Sequence, residues 1–259
     1  MEHAQKRLFL IRYLLCEQGK YAGEDIPEDE DRQRRFLRSL INVRAPAPVS
    51  DEFLTVQDEY LKEAIGEKGV TDAADLPPAE DGLFIWQGDI TTLRCDAIVN
   101  AANSDMTGCY SPCHNCIDNA IHTYAGVQLR LACADIIRKQ GRDESAGQAK
   151  ITPGFNLPCR YIIHTVGPVV EGRLTERHER LLASCYRSCL ALAAENGLES
   201  IAFCCISTGV FGFPGARAAQ IAVETVRQYK RESQSGIKVI FNVFKDKDLK
   251  LYRGLVGQH

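Results

Sequence analysis

The chain has no apolar run approaching the roughly 20 residues that a bilayer-spanning helix needs. It has no surplus of basic charge either. Its 31 Lys and Arg stand against 34 Asp and Glu, and a net charge of −3 gives no electrostatic footprint for nucleic acid or an anionic membrane. The N-terminal stretch MEHAQKRLFLIRYLLCEQGK carries an apolar patch but no small-residue cleavage site, and acidic and basic side chains flank it. An amphipathic helix and a cytoplasmic protein are therefore expected. Internal repeats and low-complexity tracts are also missing. What remains is a globular composition, 45% hydrophobic and 25% charged over 259 residues. That supports a sizeable core in one large domain, or in one domain with a smaller companion.

Cysteine is the abundant exception, with 11 residues. An odd number scattered through strand-like and helix-like segments does not suggest a secreted disulfide framework. Cys204 and Cys205, inside IAFCCIS, read as small buried hydrophobes. Cys185 and Cys189 lie four apart in a helix-like stretch and should share one buried face. The cluster at 109–116 is of another kind.

Residues 1–80 read as a helical extension. Leu8, Ile11, Leu14 and Leu15 recur at helical spacing, as do Phe36, Leu37, Leu40 and Ile41. Ser50 with Asp51 and Glu52 marks the start of a third helix, whose stripe is Phe53, Leu54, Tyr60, Leu61, Ala64 and Ile65. The mixed-charge run Glu28 to Arg38 reads as a solvated face and connector. TDAADLPPAEDG is a turn-rich linker, so a second domain is expected over 81–259. There the texture alternates. Strand candidates are LFIWQGD, DAIVNAA, YIIHTV, SIAFCCIS and VIFNVF; helix candidates cover 117–139, 176–195, 215–232 and 246–254. Such alternation implies a mainly parallel sheet covered on both faces, with ligands in the loops that follow the strands.

Two of those loops suit a phosphorylated ligand. In STGVFGFPGA, Gly209, Gly212 and Gly215 can bring backbone N–H groups to an anion ahead of a helix N-terminus; the same glycines would serve an ordinary tight turn. In NAAN, the amides of Asn100 and Asn103 can bond ribose hydroxyls or merely tie down the loop. His164, on the strand IIHTV, reads as a satisfied core histidine.

Taken together, GDITTLRCDAIVNAANSDM, QAKITPGFNLPCRYIIHTVGP and AFCCISTGVFGFP resemble the macrodomain family, in the family's order over about residues 83–255. The resemblance implies a three-layer α/β/α domain with a central mixed, mainly parallel sheet that binds ADP-ribose. On that pattern Asp89 would bond the adenine amino group with Ile90 beside it. Asn103 would contact the distal ribose. Ser207, Thr208, Gly209, Val210, Phe211 and Gly212 would wrap the diphosphate, and Phe244 would stack near the adenine.

The segment GCYSPCHNCIDNAIH departs from the glycine-rich run of many hydrolytic macrodomains. Cys109, Cys113, His114 and Cys116 are thiolate and imidazole donors of the kind zinc takes. Spacing alone permits a closed four-ligand structural site or an open three-ligand one, although the adjacent side chains of Cys113 and His114 diverge in most backbone conformations. The motif is similar to that of the zinc-dependent macrodomains, which also carry a helical N-terminal extension. This second resemblance implies zinc on Cys109, His114 and Cys116, with Cys113 unused. It also implies hydrolysis of mono-ADP-ribose from modified protein, with lipoyl-carrier proteins as a partner class. Catalytic roles are expected of Asn103 and of Asp118, the nearest carboxylate, which could equally be a helix N-terminal acid facing the dipole. Asn119 and His122 would support the loop. The rival readings are a binding module for ADP-ribosylated protein and a deacetylase of O-acetyl-ADP-ribose.

Overall fold

The structure, a computed structural model, describes residues 1–19 and 23–257. Three helices open the chain: α1 (His3–Glu17), α2 (Glu30–Val43) and α3 (Asp51–Lys68). Side-chain oxygens start the last two. Asp29 accepts from Arg32 N, and Ser50 accepts from Phe53 N as the sequence signal indicated. Their apolar faces close on one another through Leu10, Ile11, Leu14, Leu37, Leu40, Ile41, Phe53 and Leu61, a cluster separate from the main core. Val127 belongs to this small cluster, and Tyr124 packs against both cores and so forms the seam.

The stretch expected as a linker is shaped into structure. It holds β1 (Thr71–Asp72), a 3-10 turn and β2 (Pro78–Glu80). The rest of the chain supplies β3 (Leu83–Gln87), β4 (Leu93–Arg94), β5 (Ala97–Ala102), β6 (Ala149–Pro153), β7 (Tyr161–Val166), β8 (Ser200–Phe203) and β9 (Lys238–Val243). β1 pairs with β4 alone, and the remaining seven form one sheet in the order β2-β3-β9-β8-β5-β7-β6. The five central strands run parallel, while β2 and β6 close the two edges antiparallel. This is the three-layer α/β/α macrodomain fold with a mixed, mainly parallel sheet, preceded by the helical extension. Strands such as β5, β7 and β9 are apolar almost throughout because helices cover both faces of the sheet.

Those helices are α4 (Ile117–Ala125), α5 (Val127–Gln140), α6 (Glu176–Glu195), α7 (Gly215–Ser233) and α8 (Asp246–Leu255). The single helix expected over 117–139 is thus two. Gly126, at φ +98°, separates them, and a Cβ there would lie 2.7 Å from Gln57 Nε2 and 2.6 Å from Gln128 Oε1. Gln57 of α3 accepts the hydrogen bond from Val127 N, so the extension caps α5. The strand expected through SIAFCCIS ends at Phe203, where the chain turns; Cys204 is buried and Cys205 half-buried. Cys185 and Cys189 do share a fully buried face of α6. Glu28 to Arg38 is not a connector, since most of it is the first turns of α2. Among the described residues, no helix is long and apolar enough to cross a membrane.

Candidate active site

The strand order itself assembles the site. β3, β9, β8 and β5 are consecutive neighbours, all parallel, so the loops leaving their carboxyl ends line one edge of the sheet. In that order they carry Asp89, Phe244, the glycine-rich loop and Asn103. Residues scattered over more than half the chain thus form a row.

At one end, Asp89 caps a 3-10 turn at Ile90–Thr92. Its Oδ1 accepts from Thr91 N (3.0 Å) and Thr91 Oγ1 (2.6 Å), and its Oδ2 accepts from Lys68 Nζ of α3 (2.8 Å). Burial pushes the carboxyl up, but Lys68 and Thr91 outweigh it and hold Asp89 below its ordinary value. Lys68 also lies 3.4 Å above the Tyr124 ring. Ile90 is buried at 3% exposure, whereas the Phe244 ring is 74% exposed and available to a flat partner.

The glycine-rich loop turns sharply at Ser207, a non-glycine residue at φ +63°. The loop is closed by bonds from Gly212 N to Gly209 O and from Phe213 N to Ser207 O. The amides of Ser207, Gly209, Val210 and Phe211 have no hydrogen-bond acceptor among the described residues. Thr208, Phe211 and the 78%-exposed Val210 belong to the same turn, whose unpaired amides suit an anion.

Asn100 and Asn103 part company. Asn100 is fully buried and points into the core, where its Nδ2 lies 2.8 Å from Asp118 Oδ1 and 3.2 Å from His164 Nδ1. It therefore holds Asp118 and does not face a ligand. Asn103 donates to Gly108 O at 3.1 Å, and its buried Oδ1 has no partner. His164 is the satisfied core histidine expected: its Nε2 lies 2.9 Å from Thr152 Oγ1. With Cys133 and His122 it makes a sealed cluster behind the loop. The His122 ring packs beneath Gly108 (φ +86°), where a Cβ would lie 2.7 Å from the ring.

Between Asn103 and α4 the chain brings Cys109, His114 and Cys116 together, their donor atoms all within 4.8 Å of one another. Cys109 Sγ lies 3.5 Å from His114 Nδ1. A tetrahedral ion with bonds of about 2.3 Å to sulfur and 2.0–2.1 Å to nitrogen separates two such donors by about 3.6 Å, so the donors present fit zinc. Cys113 is turned away. It sits at φ +52°, and its thiol donates to Arg35 O at 3.3 Å. Cys116 caps α4, its sulfur accepting from Asn119 N.

Asp118 follows in the first turn of α4, 5% exposed, with His122 Nε2 at 3.5 Å. Burial raises its carboxyl to about 7 against the Asn100 hydrogen bond. Asn119 supports the loop as expected, donating to Ser111 O (3.0 Å) and Cys109 O (3.4 Å). Sequence reasoning missed Arg38, whose guanidinium reaches this same asparagine from α2. Its place in a charged run looked like ordinary solvated surface, and only the packing of α2 on α4 reveals it.

A family model described as "Macro domain" matches residues 99–222. A protein of Treponema medium named "Protein-ADP-ribose hydrolase" is 58% identical over 99% of this chain and 100% of its own length. The chain belongs to the macrodomain family. A Staphylococcus aureus protein of the same name is 59% identical, over 98% of this chain and 97% of its own. The macrodomain of Trypanosoma brucei, solved in complex with ADP-ribose, superposes with a TM-score of 0.66 at 31% identity, covering 89% of this chain and 97% of that one. The Oceanobacillus iheyensis macrodomain, 40% identical, matches 66% of this chain and 88% of its own at a TM-score of 0.61.

Proposed function

We propose that this macrodomain hydrolyses mono-ADP-ribose from modified protein side chains and uses a zinc ion held by Cys109, His114 and Cys116. The observation that carries the reading is the clustering of three zinc-type donors on the loop between Asn103 and Asp118, at the ribose end of the row. The names of the T. medium and S. aureus relatives support the substrate class, and the ADP-ribose complex of the T. brucei macrodomain supports the ligand.

The roles of the side chains follow from the row. Asp89 accepts from the adenine amino group, since an ionised carboxylate offers about four lone-pair sites and not all are filled here. Phe244 stacks on the base. The free amides of Ser207, Gly209, Val210 and Phe211 bind the diphosphate, with Thr208 and Gly212 completing the loop. Asn103 presents its unpartnered Oδ1 to a hydroxyl of the distal ribose and fixes the sugar's orientation. Asp118, held by Asn100, accepts the proton of the attacking water. Zinc held by Cys109, His114 and Cys116 would supply Lewis acidity there. Three protein donors leave a tetrahedral ion a fourth position, which favours catalysis over a purely structural role. Lipoyl-carrier proteins are the modified class to be tried first, and we place the protein in the cytoplasm.

The test is ADP-ribose release from a mono-ADP-ribosylated protein, with and without chelation. We expect release that is lost on zinc removal and restored on reloading. Binding of ADP-ribose without any release by the zinc-loaded protein would make it a reader instead.

A further inference from the structure

We propose that Arg38, contributed by the N-terminal extension, is a positioning residue of the metal centre that acts on His114 directly and on Cys109 and Cys116 through Asn119. The proposal rests on the zinc reading above and concerns how this chain holds the donors in place.

Asn119 is buried and fully engaged at the hub of the loop. Its Nδ2 donates to the carbonyls of Cys109 and Ser111, and its main-chain N donates to the Cys116 sulfur. The amide oxygen is clamped from outside the domain. Arg38 Nε and Nη2 donate to it at 3.1 and 2.6 Å, and the same Nη2 donates to the His114 carbonyl at 3.1 Å. One guanidinium thus touches the His114 backbone directly and the Cys109 backbone through the Asn119 side-chain amide, while it fixes the residue whose main-chain N donates to the Cys116 sulfur. Its planar fork fixes the orientation of the asparagine, which a point-charge ammonium would not do as well.

Further contacts make α2 the floor of this loop. Asn42 accepts from Cys113 N at 2.9 Å and donates to Thr123 Oγ1 at 3.0 Å. The Cys113 thiol donates to Arg35 O. Arg130 of α5 gathers the carbonyls of Ile41, Asn42 and Arg44 at the end of α2 and lies 4.3 Å from the Tyr110 ring centroid. The extension therefore builds the outer shell of the metal centre without donating a ligand. Loss of such outer-shell partners commonly costs about 10–100-fold in metal affinity.

The test uses the full chain loaded with zinc, and the readout is the rate of zinc release to a chromogenic chelator. Arg38→Ala should release zinc about tenfold faster or more. Arg38→Lys, which keeps the charge but cannot span both acceptors, should fall between it and the wild type. Arg34→Ala, on the same helix but paired with Glu30, should release at the wild-type rate. Wild-type release from both Arg38 variants overturns the proposal; if Arg38→Ala does not fold, Arg38→Lys decides alone.

A second readout does not need the metal. In metal-free protein, Cys109 and Cys116 of the Arg38 variants should be alkylated by iodoacetamide faster than in the wild type, with Cys16 as the unchanged internal standard. Equal labelling overturns the proposal. A wild type that takes up no zinc but shows this labelling difference leaves Arg38 as the loop's positioning residue and removes only the zinc reading.

Discussion

At the scale of single residues, the loop separates four neighbouring metal-type side chains: three converge, and the Cys113 thiol turns to Arg35 O. Replacing Cys109, His114 or Cys116 with Ala should each empty the site of zinc and abolish hydrolysis. ADP-ribose affinity should survive better, because the Asp89 and diphosphate contacts lie elsewhere along the row. Cys113→Ala should change neither zinc content nor turnover, since its thiol faces Arg35 O. Metal analysis, calorimetry and product release on the four variants check this, and zinc loss from Cys113→Ala equal to that of its neighbours would sink the three-ligand site. Asp118→Asn keeps the shape of the side chain and its neighbour Asn100, yet removes the proton acceptor. Turnover should fall about 10²–10⁴-fold, the usual worth of a general base, with ADP-ribose binding retained; unchanged single-turnover rates would place the base elsewhere. Asp89→Ala should instead weaken ADP-ribose binding in calorimetry, with zinc content intact.

At the scale of elements, the sequence was legible wherever local chemistry and tertiary packing agree. The β-branched runs of β5, β7 and β9 are largely buried, as are Ile11, Leu14 and Leu15 of α1 and Phe53, Tyr60, Leu61 and Ile65 of α3, whereas Leu8, Leu54 and Ala64 of the expected stripes are only half-buried. What escaped was decided by distant partners. β6 is AKITP, with no strong strand signature. It exists because it pairs with β7, while Lys150 meets Glu144 and Thr152 meets His164. The break at Gly126 could not be seen because its cause, Gln57, lies in another helix. Gly126→Ala tests that cause: the new Cβ collides with Gln57 and Gln128 at a backbone angle that L-residues avoid. We expect about 1–3 kcal/mol of destabilisation in urea unfolding, and an unchanged midpoint would mean that the α4–α5 junction yields freely. The site was legible in part for the same reason. Asp89, Asn103 and the 207–212 loop announce themselves by motif, whereas Arg38 reads as one charge among many in EDRQRRFLRS.

For the whole molecule, the sealed cluster behind the loop makes stability depend on pH. Burial lowers His164 to about 3. Burial, the neighbouring His164 and Arg130 hold His122 well below its ordinary value. A histidine whose folded value lies below its unfolded value of about 6.5 contributes fully above that pH and loses its contribution as the pH falls toward the folded value. Asp118, raised to about 7 by burial, works in the opposite direction over part of the range, so a difference measurement is needed. Between about pH 6.5 and 4, urea midpoints should decline less steeply for His164→Gln than for the wild type, and parallel curves would contradict the assignment. The sheet order carries one more consequence, for how the chain comes together during synthesis. The α1–α3 bundle closes on contacts within the first 68 residues, whereas β3 must wait for β9, Leu83 meeting Val239 near the far end of the chain. Short-range contacts form faster than such distant pairings. The α1–α3 contacts are therefore expected to form ahead of the sheet, so that Arg38 and Asn42 stand ready for residues 109–116 before β3 and β9 pair.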